Sequence, residues 1–584
     1  MPKKGIHISV NDLPRFDRDF FGSTDSISYI GSGSIGGKAS GLAFIKNKLV
    51  SFFEDNPFRG IDVIIPRMVI IATDVFDSFM KLNNLHEIVD SDVDDDRVAH
   101  AFGQAQFPAE MVGDLRALIT SVHTPLAVRS SSLLEDAMYE PFAGVYATKM
   151  IPNNQPDIDT RFKRLIDAIK FVYASTYFKS ARDYHRAAGR STADEKMAVI
   201  IQEVVGRRYN DRFYPHLSGV ARSYNFYPMG KAVPDEGVVD LALGLGKTIV
   251  DGGLVWSYSP AHPRAVPPAG SAGEFLKMTQ TNFWAVNMGK PPAYDPMRET
   301  EYLTKGELSD AEYDGTLKYA ASTYRPADDR IVMGVGADGP RLINFAPILV
   351  ADLLPINDLI IKILKLCDEA VGSEVEVEFA MIIHSKSDKP STFGFLQVRP
   401  MVVSHSKIDL TDEEMTGDNV LLASDRVLGN GIFENIEDVI FVDPDNFEAK
   451  NTRQIAMQLS ELNKKILDEK RNYLLIGFGR WGSSDPWLGT PVEWGQISGA
   501  RAIVEATIPG MNVELSQGSH FFHNITSFQI CYFSVHYTGE HKIDWAWLQK
   551  QKEVGRTEFV KHVRLEKPLL IKVDGRHSRG VILT

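Results

Sequence analysis

Two stretches near the middle of the chain, Glu374-Val-Glu-Val-Glu-Phe379 and Phe395-Leu-Gln-Val-Arg399, alternate polar and apolar residues without a break. Successive side chains of a β-strand point to opposite faces, so this alternation predicts two-faced strands. Glu374, Glu376 and Glu378 then share one face, and Val375, Val377 and Phe379 the other. Gln397 and Arg399 share a face of the next strand, and the turn-rich stretch from Ser385 to Thr392 lies between the two. If the strands pair, carboxylates, an amide oxygen and a guanidinium converge. Magnesium takes oxygen ligands, commonly one or two carboxylates with nucleotide phosphates, so Glu376, Glu378 and Gln397 are candidate metal ligands. A solvated charged face fits the same alternation.

Two further segments carry phosphate chemistry. Gly31-Ser-Gly-Ser-Ile-Gly-Gly-Lys38 precedes a helical pattern of Leu42, Ile45 and Leu49. It matches neither common phosphate loop: no clear buried strand or βαβ unit frames it, and Ser32 and Ala39 replace the residues of a Walker A loop. What remains is a glycine turn that delivers Lys38 beside a helix N-terminus, where backbone N–H groups and an ammonium suit phosphate oxygens. A glycine turn of purely structural use fits equally. The second segment is the strand-like Leu126-Ala-Val-Arg129, followed by hydroxyls, Glu135, Asp136 and Phe142-Ala-Gly144. Arg129 offers a planar fork to phosphate, and Gly144 allows close backbone approach. A salt-bridged arginine at a strand end is the plainer alternative.

Strand-like runs (126–128, 197–201, 238–243) interleave with helical patterns, which predicts a mixed α/β architecture. Thr73 is read as the N-cap of a helix burying Val75, Phe76, Phe79 and Met80. A longer helix is expected from Thr160, with Phe162, Leu165, Ile166 and Ile169 inside, and the acidic run Asp90–Asp96 reads as a solvated loop. The polar stretch from 404 to 419 has linker composition. The expected division is 1–200, 201–403, a linker 404–419, and a C-terminal α/β domain 420–584. A net charge of −13 argues against a nucleic-acid backbone as partner. Cys367 and Cys531 are the only cysteines, which excludes a disulfide scaffold and fits a reducing, cytoplasmic setting. The N-terminus lacks the apolar core of a secretory signal, and no apolar run is long enough to span a bilayer.

In order along the chain, GSIGGKASGL (33–42), AVRSSSLLEDA (127–137), PFAG (141–144), IQEVVG (201–206), LSGVARS (217–223), LGLGKTIVDG (243–252), EVEFA (376–380) and LQVRPM (396–401) resemble successive motifs of the pyruvate phosphate dikinase N-terminal domain. That ATP-grasp domain is shared with phosphoenolpyruvate synthase, rifampin phosphotransferase and the glucan, water dikinases. The resemblance spans roughly 28–401. It implies an ATP-grasp fold with ATP and Mg2+ as cofactors and an ATP-dependent phosphotransfer reaction. It further implies that Lys38, Arg129 and Arg399 contact phosphates and that Gln202, Glu203 and Val205 form the adenine hinge. Glu378 and Gln397 would hold magnesium, with Glu376 standing where the family usually has Asp. One departure is Lys247, where the family's G-L-G-E motif carries a glutamate.

The C-terminal third resembles the family only weakly, and no residues remain for its TIM barrel. Ser498–Glu505, Gly518-Ser519-His520 and Leu569–Val581 fall in the order of the family's phosphohistidine swivelling domain. His520 is therefore the expected phosphoryl acceptor, with His523 second; a structural histidine is the alternative. Around Arg480 and Asp485, three of the seven tryptophans (Trp481, Trp487, Trp494) fall close together, as either an acceptor pocket or a packed core. The final acceptor, a small molecule or a protein, is not legible. The competing expectations are a non-catalytic ATP-binding regulator and a ligase working through an acyl phosphate.

Overall fold

The computed structural model describes residues 13–584 except 54–57, 59, 90–92, 134, 136–143, 188–194, 227, 229, 266–271, 277, 385–388, 402, 404–407, 409, 484, 486, 510, 512–529 and 576. It is a mixed α/β structure built on three principal sheets. The first has five strands in the order Ile27–Ile30, Met68–Ile71, Met197–Glu203, Leu126–Ser132, Thr148–Ile151. Their Val, Ile and Leu side chains alternate between two apolar layers, one under the helices Thr73–Leu82, Asp95–Gln104, Ala109–Ser121 and Ile158–Ser175.

The second sheet has six strands: Trp256–Tyr258, Val238–Ala242, Leu217–Arg222, Val375–Ile382, Ser391–Pro400, Ile61–Ile64. Its core is closed by the helices Gly36–Phe53 and Ile356–Val371. The strands carrying the two alternating motifs pair antiparallel, with Glu376 opposite Arg399 and Glu378 opposite Gln397. Both sheets depart from the expected division: residue 200 falls within the strand Met197–Glu203, and Ile61–Ile64, early in the chain, completes the second sheet.

Several local readings need correction. A strand, Ile27–Ile30, does run directly into Gly31 and pairs parallel with Met68–Ile71, so the glycine turn sits in a β–helix–β crossover. Four residues are too few for a periodic signal. The helix Thr73–Leu82 has Ala72 as its N-cap, with Thr73 as first helical residue. Asp157 caps Ile158–Ser175, its carboxylate accepting from the Thr160 N–H at 2.7 Å. Of the acidic run, Asp94 stands at the N-cap position without a side-chain capping bond, and Asp95 and Asp96 begin the helix Asp95–Gln104, where carboxylates complement the helix dipole. Part of the expected linker is the capped helix Asp412–Thr416.

The C-terminal part holds a nine-stranded sheet, whose strands Gly431–Val442, Tyr473–Phe478, Ala500–Ala506 and Cys531–Val535 run parallel. One face of this sheet packs on a core of its own, with Val439, Phe441, Leu474, Ile476 and Val504, and the other face does not stand apart. Ile440, Tyr473, Phe478, Trp481 and Trp494 belong to the same buried cluster as Phe76, Leu165 and Tyr184 of the N-terminal region. The two regions meet where the turn Trp494–Gln496 packs on the helix Lys179–Ala187, with Gly495 against Asp183. Among the described residues no helix is long and apolar enough to cross a membrane. Cys367 and Cys531 are buried free thiols.

Candidate active site

A cavity of 430 Å³ lies between the first two sheets, within the range of small-ligand sites. Lys38 reaches it from the first turn of Gly36–Phe53. Gly36 and Gly37 make this possible: a Cβ on either would stand 1.7 Å from the Ser131 carbonyl oxygen or 1.6 Å from that of Glu135. Only glycine lets the helix start press against strand Leu126–Ser132. Lys38 Nζ then donates to Glu135 Oε1 at 2.7 Å and to Ser130 Oγ at 3.2 Å.

The backbone amides of the glycine turn face elsewhere. Ser32 and Gly33 donate to the Asp74 carboxylate at 3.0 and 2.9 Å, and Ser34 to Thr73 Oγ1 at 3.0 Å. Burial pushes the Asp74 carboxyl up, but these hydrogen bonds outweigh it and hold it below the usual range. The Ser32, Gly33 and Ser34 amides are thus already occupied by Asp74 and Thr73, and Lys38 is what the turn presents to the cavity.

On the opposite wall the paired strands deliver Glu378, Gln397 and Arg399. Arg129 spans the cleft: its Nη2 donates to Gln397 Oε1 at 2.6 Å and to Glu378 Oε2 at 3.3 Å. Arg399 Nη2 donates to Glu378 Oε1 at 3.1 Å. Glu376 shares their face by alternation but lies behind the cavity. Its Oε1 accepts from Arg399 Nε at 2.6 Å and its Oε2 from Arg222 Nε at 2.7 Å. Arg222 also meets Asp240 at 3.2 Å, and all four groups are buried. Glu376 thus orients Arg399 rather than facing a ligand.

Gln202, Glu203 and Val205 line the cavity with Val204. The Gln202 side chain points toward Arg129, its Oε1 accepting from Arg129 Nη1 at 3.4 Å. This orients the amide, and its Nε2 has no hydrogen-bond partner among the described residues although the residue is 2% exposed. A buried donor left unpaired costs about 1–3 kcal/mol, so this N–H can donate to a partner at little further cost. Gly144 lines the cavity with φ +67°, in left-handed backbone; the rest of 141–144 lies outside the described residues. Met150, Leu245, Leu303 and Leu396 add apolar wall.

Lys247 also lines the cavity, with its ammonium 3.1 Å from Asp251. Burial would lower its pKa, but Glu299 and Asp251 raise it above the ordinary lysine value. Glu299 is pushed up by burial, with Lys247 opposing. The unexpected positive charge is therefore met by two carboxylates on the same wall.

Sequence reading assigned no role to Glu135, Arg222, Asp240, Glu299 or Glu493. Asp240 carried a usable signal, a lone carboxylate within the apolar strand Val238–Ala242. Of the C-terminal candidates, His520 and His523 lie outside the described residues. Arg480 and Asp485 do not line the cavity. Arg480 is buried and donates to the carbonyls of Gly252 and Gly253 at 3.2 and 3.4 Å. Asp485 accepts from the Trp487 N–H at 3.0 Å within its own turn. The tryptophans separate: Trp481 and Trp494 are core residues, while Trp487 is 71% exposed.

The comparison with known families accords with this geometry. The family model described as pyruvate phosphate dikinase, AMP/ATP-binding domain, matches residues 32–418. Both sheets bounding the cavity fall almost wholly within that span.

Proposed function

The chain belongs to the pyruvate phosphate dikinase AMP/ATP-binding family, and from that premise we propose that it is a phosphotransferase that takes a phosphoryl group from Mg-ATP. The observation that carries this reading is the convergence of Lys38, Arg129, Glu378, Gln397 and Arg399, from separate segments, on one cavity. In that reading Lys38, Arg129 and Arg399 hold the phosphates, Gln202 donates its orphan N–H to the nucleotide, and Glu203 and Val205 flank the adenine.

The donor set fits magnesium. Glu378 and Gln397 present hard oxygens side by side, and both already attract the Arg129 guanidinium. Bound there, the ion would neutralise charge developing on the phosphoryl oxygens. Glu376 supports the pair through Arg399 and is not itself a ligand. The cations at this end are matched by Glu135, Glu376, Glu378 and Asp240, so a triphosphate needs the extra positive charge.

His520 remains the proposed phosphoryl carrier. A specific observation favours a second route, direct transfer to an acceptor: one face of the C-terminal sheet lies in the same apolar cluster as the N-terminal region, and swivelling would expose part of that layer.

Purified protein with Mg-ATP, resolved for AMP and ADP and weighed intact, tests the proposal. AMP with an acid-labile adduct absent from His520→Ala supports the carrier. ADP without an adduct supports direct transfer. ATP bound yet left intact with every acceptor class, carboxylates included, would make the chain an ATP-sensing regulator; ADP formed only with a carboxylate would make it a ligase.

A further inference from the structure

The cavity continues past Lys38. Lys38 is joined to Glu135, whose other oxygen accepts from the Ser132 N–H at 2.9 Å. Beyond them, the Tyr146 hydroxyl meets His185 Nε2 at 2.9 Å, tying the segment 144–146 to the helix Lys179–Ala187. Gly144, Tyr146, Phe178 and Ser180 line this end, and so does Glu493. Among the described lining residues, Glu493 alone comes from beyond residue 418, where the family match stops.

Glu493 is held by its backbone, and its side chain is solvent-exposed where it meets the cavity. Its N–H donates to Gln496 Oε1 at 2.8 Å, starting the turn Trp494–Gln496. Trp494 is buried, and Gly495 packs so closely on Asp183 that a Cβ there would stand 2.6 Å from it. Asn463 Nδ2 donates to the Gly495 carbonyl at 3.1 Å. The neighbouring carboxylates are already engaged: Asp183 pairs with Arg186 at 2.9 Å, and Asp95 accepts from the Lys179 N–H at 2.7 Å and faces Arg182 at 3.8 Å. Among the described residues no cation hydrogen-bonds Glu493; desolvation and the nearby Asp95 and Asp183 carboxylates push its carboxyl up, with Lys179 opposing through space. The residues lining this end therefore present one carboxylate, one hydroxyl (Ser180), the Tyr146 ring and the Phe178 ring.

Resting on the phosphotransferase reading, we propose that this end of the cavity is the acceptor subsite, completed by Glu493 of the C-terminal domain, and that it takes a hydroxyl-bearing amine rather than a carboxylate. An ammonium pairs with Glu493, the hydroxyl lies toward Lys38 and the phosphates, and aromatic walls suit a cation. A carboxylate meets like charge at Glu493, and the nearest lining cation, Lys38, is already paired with Glu135 at 2.7 Å.

The test is calorimetric titration of the full chain saturated with Mg2+ and a non-hydrolysable ATP analogue, using ethanolamine and pyruvate as probes. Ethanolamine is expected to bind at least five-fold more tightly than pyruvate, and Glu493→Gln to erase that preference. Equal or tighter binding of pyruvate, a preference that survives Glu493→Gln, or failure of both probes on analogue-loaded protein overturns the subsite. Failure of the analogue itself to bind is read separately and overturns the nucleotide reading, and the subsite with it.

Discussion

Arg129 Nη2 and Gln397 Oε1 meet at 2.6 Å although 268 positions separate them in the chain. The contact joins strand Leu126–Ser132 of the five-stranded sheet to Ser391–Pro400 of the six-stranded sheet, and Glu378 shares the same nitrogen. One guanidinium thus spans the cleft where a nucleotide would lie. Arg129→Lys keeps the charge but loses the fork that reaches two oxygens at once. Charge-assisted hydrogen bonds contribute about 1.5–3 kcal/mol, so Mg-ATP affinity is expected to fall about ten-fold or more by titration calorimetry.

Glu376 makes the opposite kind of contribution. Glu376→Ala strands the Arg222 and Arg399 guanidiniums, 1% and 3% exposed, with one carboxylate fewer. Breaking a buried ion pair typically costs about 3–5 kcal/mol. Chemical denaturation is expected to show a loss of that size, larger than for Glu378→Ala at the cavity wall. Equal losses would mean that Glu376 is not the structural member of the pair.

Gln202→Leu separates stability from binding. The orphan Nε2 gives the folded apo-protein nothing, and Oε1 gives only a long 3.4 Å contact to Arg129 Nη1, which also reaches the Leu396 carbonyl at 3.5 Å, so an apolar group of similar size is expected to change the melting temperature little. The same change removes a donor from the ligand, and nucleotide affinity is expected to drop about ten-fold. A variant that melts earlier and binds normally would contradict this role.

Glu195 and Glu505 predict a pH signature. Burial raises each carboxyl from the ordinary 4.5 to about 7. Between those values the folded protein holds protons that the unfolded chain has released. Their contribution is thus fully present below pH 4.5 and is lost as pH rises through 7. Each accounts for about 3 kcal/mol over that window. Stability profiles of Glu195→Gln and Glu505→Gln, subtracted from that of the unaltered chain, should each slope in this sense; a flat difference would rule it out.

Much of the site is legible in the sequence because its motifs are local. Glycines at 36 and 37 beside Lys38, and an arginine closing the apolar run 126–129, mark positions whose backbone requirements do not depend on distant residues. The strand before Gly31 escaped because four residues carry no period. The contact between Gln202 and Arg129 escaped because the two lie on neighbouring strands 73 positions apart. Glu493 carried no signal at all: nothing in Val492-Glu-Trp-Gly495 distinguishes a cavity wall from a surface turn until Gly495 is seated on Asp183.

The amino-acid sequence by itself determined the two-faced strands, the family, and the side of the sheet on which Glu376, Glu378, Gln397 and Arg399 stand. Only the tertiary structure decided which carboxylate faces the cavity. A period of two sets the face of a side chain, but its depth along that face depends on what the neighbouring strand brings opposite. Register sets Glu376 across from both Arg399 and Arg222 and buries it among charges, while Glu378, two residues on, meets Gln397 at the open wall.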